Sequence, residues 1–351
     1  MKLKYKKYKI KEGDTLASIS KLLGKPTLEV KNFHNIFCDH DNFIVLDFPD
    51  NFKELFIYPE YSEVDLNPIP KVFFDGGSKL LFRPISKKTN FGVQYTMTSG
   101  EEINTIKFET SVYFKGKSQD NLNVFEIDRI SKTFVNDEET SIIADELAEK
   151  VASVLYPLEI IVDENGKWQE VFNHEEIANR WPKIREKILE EYEGEWVENY
   201  LELSETSLLS QNNLTESLSK DWFLNAYFGG IYVNYNSKLI CKKDENFPIL
   251  PNISPANYEV KQKIEEYLDD YKLINIETIG VLSDVRSKSD FEGDFDFPYY
   301  SMLNPEEEKA VGKFRAKYFL KPNNHQIESM FLECSIDLEI PRKVEIVVSV
   351  L

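Results

Sequence analysis

The chain predicts an α+β protein in two parts, a small βααβ module followed by a larger α+β body with an antiparallel sheet. Three observations lead there. Residues 1–60 hold two short alternating runs with two helical stripes between them. Residues 92–135 and 313–351 alternate apolar with polar side chains, the pattern of half-buried antiparallel strands. The stretch between these runs carries apolar residues at helical spacing.

The module is taken first. KKYKIK places Tyr8 and Ile10 on one face of a short strand. Gly13 permits the turn after it, and Asp14 is the expected acceptor for the open amides of a first helix. Leu16, Ile19 and Leu23, at i, i+3 and i+7, form one stripe of a two-turn helix ending at Gly24. Pro26 and Thr27 open a second helix carrying Val30 and Phe33. A polar loop follows, and LFIYP makes a closing strand stopped by proline. About fifty residues form a marginal core by size alone.

Tyr8-x-Ile10-x-x-Gly13-Asp14-Thr15-Leu16, with Ile19, Gly24 and the closing Leu55-x-Ile57-x-Pro59, resembles the LysM family of small modules that bind N-acetylglucosamine-containing polymers. The resemblance covers residues 5–60. It implies a shallow groove between the first strand–helix loop and the second helix–strand loop, with Gly13, Asp14, Thr15 and Leu16 on one side and Ile44, Val45 and Leu46 on the other. Where the family has an asparagine ending the second helix, this chain has His34 with Asn35 beside it. Its second loop is longer than usual and crowded by Phe48, Pro49, Phe52 and Phe56. Those phenylalanines are candidate docking groups, for sugar faces, for another protein or for the rest of the chain.

Composition narrows the function classes. The net charge is −19, from 42 basic and 61 acidic residues, and it is unevenly placed. Residues 1–60 hold ten lysines against nine acids, so the remainder carries about −20. An acidic body argues against nucleic acid and against anionic membranes. Six lysines within the first eleven residues read as an edge strand kept soluble. No apolar run is long enough to span a bilayer, and no apolar segment follows the basic start as in a secretory signal. Cys38, Cys241 and Cys334 are odd in number and far apart, which favours a reducing compartment, so a cytoplasmic location is expected.

Residues 61–70 read as a proline-marked linker and 71–351 as the body. KVFFDGGSKLLFRPI suggests a hairpin around Gly76-Gly77. GVQYTMTS, INTIKFETSVYFKG and LNVFEIDRISKTFV predict three antiparallel strands. A helix is expected from Asp137, with Ile142, Leu147, Val151 and Leu155 as its buried stripe. LEIIVDENGKWQEVF is a hairpin turning at Asn165-Gly166. Asn173 with Glu176 resembles a capping box for a helix running to Gly194, disturbed at Pro182. Residues 195–228 read as helical pieces, FGGIYVNY as a strand, NFPILPNISP as a connection, 257–271 as a helix and LINIETIGVL as a strand. The three last runs form a meander turning near Pro341-Arg342.

The search for chemistry finds no phosphate loop and no nucleophile elbow. His174 reads as a helix-start residue and His325 as part of a polar turn. His34, Cys38 and His40 have ligand types that zinc accepts, but their spacing fits no established site, so no metal and no cofactor are expected. Asp290, Glu292, Asp294 and Asp296 alternate with phenylalanine and read as an acidic loop whose rings dock on the body. The paired acids Glu190, Glu191, Glu193 and Glu195 invite a cell-wall hydrolase reading, yet nothing selects two carboxylates across a cleft. The expectation is therefore a non-enzymatic adaptor. LysM-like modules also occur in the baseplates of contractile injection and phage-tail machines, where they contact protein, so partners in such a secretion assembly come first. An N-acetylglucosamine polymer is the alternative.

Overall fold

Lysines alternating with Tyr8 make β1 (Lys6–Lys9) amphipathic, and it pairs antiparallel with β2 (Glu54–Ile57), Tyr8 opposite Leu55. The computed structural model describes residues 5–39, 42–49, 52–59, 70–74, 77–139, 142–304 and 306–351, in two compact units, Met1–Lys71 and Val72–Leu351. Residues 61–69 of the expected linker lie outside the described residues.

In the first unit the strands are joined by α1 (Leu16–Leu22) and α2 (Thr27–Phe37). Asp14 does not cap α1 as expected. Thr15 does: its hydroxyl accepts from Ser18 N–H at 3.0 Å while the Ser18 hydroxyl oxygen accepts from Thr15 N–H at 2.9 Å, a complete capping box. Asp14 instead accepts from the Tyr8 hydroxyl and from Lys11 N–H, closing the turn at Gly13. Leu16, Ile19, Leu23, Val30, Ile44, Leu55 and Ile57 are buried with Tyr8 in a core of their own.

The second unit is built on one antiparallel sheet. Its N-terminal strands are β3 (Thr89–Ser99), β4 (Glu102–Lys117), β5 (Asn123–Arg129) and the two-residue β6 (Phe134–Val135) and β7 (Glu138–Glu139). The expected helix from Asp137 starts later, as α3 (Ile143–Ala152), because Asn136 and Asp137 take left-handed turn conformations that begin β7. Ile142 is therefore outside the stripe and exposed, while Leu147 and Val151 are buried. The hairpin β8 (Leu158–Val162) and β9 (Trp168–Val171) forms as read. Gly166, at φ +78°, lies under the Tyr232 ring, where a Cβ would meet ring carbons at 2.5 Å.

Helix α3 stands between β7 and β8, and β9 is followed by α4 (His174–Glu191), α5 (Glu195–Leu208), α6 (Gln211–Leu218) and α7 (Trp222–Tyr227). Asn173 makes no capping bond to α4. Its amide oxygen accepts from Glu159 N–H and its nitrogen donates to Pro157 O, both at 2.9 Å, tying the helix start to β8. Pro182 is accommodated within α4, whose apolar side buries Ile177, Trp181 and Ile188.

The C-terminal half is a meander of β10 (Ile240–Phe247), β11 (Ala256–Ile264), β12 (Ile274–Leu282), β13 (Val311–Leu320), β14 (Ile327–Asp337) and β15 (Arg342–Val350). Two expectations fail here. FGGIYVNY makes only isolated bridges, Gly229 to Lys167 and Asn234 to Lys79, although Ile231, Tyr232 and Tyr235 are buried. Residues 257–264 are strand, not helix: Tyr258, Val260, Gln262 and Ile264 point inward in strict alternation. The expected hairpin at 71–85 is also absent as such. Val72 N–H reaches Glu266 O, Leu80 N–H reaches Val233 O, and Asp75 and Gly76 lie outside the described residues. Strand order runs β10-β11-β12-β13-β14-β15-β3-β4-β5-β8-β9, so the last strand lies beside the first. Between β12 and β13 the acidic stretch folds into α8 (Lys288–Glu292) and α9 (Tyr299–Leu303) instead of a plain loop.

Candidate functional site

The two loops that the resemblance singles out come together in the first unit. Asp47 sits at their junction, its carboxylate accepting from Leu16 N–H at 3.3 Å and from Phe48 N–H at 2.8 Å. The first loop brings Gly13, Asp14 and Thr15, with Gly13 at φ +88° and open space where a Cβ would stand. Leu16 and Ile44, both expected at the groove, are core residues, 2% and 0% exposed, so their side chains cannot meet a ligand.

Asn35 holds the second loop. Its amide nitrogen donates to Ile44 O and its oxygen accepts from Ile44 N–H, both at 2.9 Å, which copies a strand pairing with a side chain. Lys31 Nζ donates to Val45 O at 3.1 Å from the same helix. Ile44 is thereby pinned inward, and the next two residues are turned out: Val45 is 67% and Leu46 91% exposed.

His34 lies in the last turn of α2, three residues before its final residue, and is fully buried. Phe56 N–H donates to Nδ1 at 2.9 Å, so the proton is on Nε2, which donates to Asn42 O at 2.9 Å. Both ring nitrogens are used, and burial holds the imidazole below its ordinary pKa, partly offset by the bond to Asn42. A neutral, fully bonded histidine has no lone pair left for a metal. His40 and Asp41 lie outside the described residues, and among the described residues no group of three His, Cys, Asp or Glu side chains is placed to hold an ion.

The phenylalanines offered as docking groups turn onto the unit's own interior. Phe52 meets the His34 ring edge-on at 5.2 Å, Phe48 stacks on Phe52 at 4.8 Å and Phe56 stacks on His34 at 5.4 Å. All three are half-buried. The exposed apolar side chains of the second loop are Phe43, at 48%, with Val45 and Leu46, and Asp47, which sets the loop, had no distinguishing pattern beyond a turn acid two residues before Pro49.

In the second unit several of the remaining candidates have structural partners. His174 Nε2 bonds to Leu208 O at 2.9 Å. His325 closes the turn after β13, its N–H donating to Lys321 O, and is 3% exposed, with Nδ1 on Leu81 O at 2.7 Å. Asp290 is fully buried and forms a capping box with Ser287. Glu191 pairs with Lys150, and Glu190 lines an open cleft with Trp181, Arg185 and Glu205.

No protein-family model matches the chain, and no curated protein does. Among solved structures, one reported as lipid–protein interactions in lipovitellin is similar at a TM-score of 0.41 and 10% identity. The likeness covers 77% of this chain and 25% of that one, so this chain spans about a quarter of its length, and at that distance it bears on neither fold nor function.

Proposed function

We propose that the chain is a non-enzymatic binding protein, an adaptor whose N-terminal LysM-like unit docks on a protein through its second loop. The observation that carries this is the outward turn of Val45 and Leu46 while Phe48, Phe52 and Phe56 face the interior. Sugar recognition draws on ring faces open to solvent; here Phe43 is half exposed and the more exposed Val45 and Leu46 are aliphatic, a mixed apolar surface at a fixed loop that suits a protein. The LysM resemblance adds the class of assembly, a contractile injection or phage-tail-like machine, as the first place to look for the partner.

The test is a photo-cross-linking residue at position 46 of the full chain in its native host, with the exposed Lys21 position as control. A discrete protein adduct from position 46 alone is expected, and no better retention on purified cell-wall sacculi than a chain lacking residues 1–60. Retention above that deletion, without an adduct, would replace this reading with binding of an N-acetylglucosamine polymer. That second reading draws on the Asp47 bond to Leu16 N–H, which sets the two loops of a LysM-like groove side by side.

A further inference from the structure

The excursion between β12 and β13 combines two features that seldom coincide in a surface loop. It is held rigidly, and it exposes large apolar side chains. Asp290 is the clasp: its carboxylate accepts from Ser287 N–H and the Ser287 hydroxyl at 2.8 Å, from Tyr300 N–H at 2.5 Å and from the Ser301 hydroxyl at 2.9 Å, binding α9 to α8. Arg286, 4% exposed, pairs with Asp284 at 2.7 Å and donates to Ser254 O and Pro255 O, fixing the root of the excursion. On this frame α9 buries none of its residues. Val285, Phe297, Tyr299, Met302 and Leu303 are 74%, 52%, 41%, 75% and 68% exposed. An apolar patch presented by a buried polar network has the character of a binding surface.

Charge says what kind of partner fits. Residues 284–309 hold eight acids against three bases, and one of the bases, Arg286, is already neutralised by Asp284. Asp294, Glu306 and Glu308 are exposed and make no ion pair among the described residues. Beside α8 opens a cleft of about 650 Å³, lined by the carboxylates of Glu292, Asp294 and Glu339 and by Trp222, Ile249, Leu338 and Ile340. Arg342 and Lys343 also line it; Lys343 pairs with Glu345, while Arg342 donates to the Ser99 hydroxyl and keeps its charge, so three carboxylates stand against one unpaired cation and the balance is negative. The volume suits a bulky side chain or two from an entering segment.

We propose that α8, α9 and this cleft form a second docking surface, one that takes a basic peptide segment of a protein partner anchored by an apolar side chain. The proposal does not depend on what the N-terminal loop binds. It is tested on the full chain by fluorescence anisotropy with a labelled peptide of about twelve residues alternating leucine and lysine, against the same peptide with glutamate for lysine. The lysine peptide is expected to bind at least about tenfold more tightly at low salt, and less so as salt rises. The double variant Met302→Ser/Leu303→Ser should weaken it about tenfold, as should Asp294→Lys. Ile103→Ser, at an exposed position of β4, and Leu46→Ser should change nothing. Equal binding of the two peptides, or equal loss in Ile103→Ser, overturns the proposal. So does sedimentation showing a dimer that Met302→Ser abolishes, which would make the occupant a second copy. Anionic vesicles that bind the chain and lose it with the same double variant would overturn it as well.

Discussion

Replacing Asp290 by asparagine tests the clasp directly, and the structure sets the size of the effect. Burial alone would push this carboxyl upward, but the bonds from Ser287 N–H, Tyr300 N–H and the two serine hydroxyls outweigh it and bring the group from 3.8 down to about 2. A folded value below the unfolded one means the stabilisation is fully present above about pH 4 and lost as pH falls toward 2. The difference corresponds to about 2 kcal/mol at neutral pH, about half of which is gone by about pH 3. Asp290→Asn keeps the shape and an acceptor while removing the charge. Urea unfolding should show it about 2 kcal/mol less stable than the parent at pH 7 and about 1 kcal/mol less at pH 3. If α9 releases locally without global unfolding, the same loss appears as faster hydrogen exchange at the Tyr300 and Ser301 amides. A variant that matches the parent in both readouts at pH 7, or a deficit that is the same at pH 7 and pH 3, would refute the assignment of the clasp to the carboxylate.

His34 is buried neutral with its pKa lowered by burial, so the first unit should hold its full stability above about 6.5 and lose it as pH falls below, read by exchange at the Phe56 amide; His34→Gln should flatten that dependence. Asp47→Ala should release the two loops from each other at a cost of about 1 kcal/mol, seen as exchange at Leu16 and Phe48, with the core amide of Leu55 unchanged. In the sheet, a Cβ at Gly280 would lie 2.5 Å from Val260 Cγ1 and 2.6 Å from Glu259 O, so Gly280→Ala should destabilise the body by about 1–3 kcal/mol in urea; an unchanged midpoint would contradict the strand register.

Strands whose two faces differ cleanly were legible: β3 to β5, β12 to β15 and the Asn165-Gly166 hairpin follow from alternation and turn chemistry alone. β11 was not, and Gln262 is the reason. Val260, Ile264 and Leu268 also fall at i, i+4 and i+8, and a polar residue at the inward position between the first two breaks the apolar alternation that would have marked a strand. The amide is tolerated there because Nε2 donates to Ile231 O at 2.8 Å and to the Tyr235 hydroxyl at 2.6 Å, partners about thirty residues upstream. β10 hid for a related reason: it is an edge strand of the sheet, and such a strand carries lysine and acid without losing its place. FGGIYVNY erred in the other direction. Its apolar residues are buried, but its backbone bonds go to scattered sites, Tyr232 N–H to Asn165 O and Tyr235 N–H to Ser78 O, which no local pattern reports. In the first unit, the two loops that the resemblance singled out meet at Asp47. The burial of Ile44 and exposure of Leu46 were not legible, because Asn35 decides them through bonds nine residues away.

The position of the C-terminal strand connects the frame to the surface it presents. β15 is flanked by β14 and by β3, so the last strand lies inside the sheet and completes the pairing of strands whose sequence positions are some 250 residues apart. β12 and β13, from which the acidic excursion leaves, are interior strands of the same sheet, paired to β11 and β14 on their far sides. An insertion rooted between two interior strands inherits their rigidity, and Arg286 extends that rigidity outward by binding the excursion to the carbonyls of Ser254 and Pro255 at the start of β11. The exposed rings and aliphatic groups of α9 are thus displayed at fixed positions before any partner arrives. Binding at such a surface does not have to order a loop first, and the entropy that ordering would cost is already met in the folded chain.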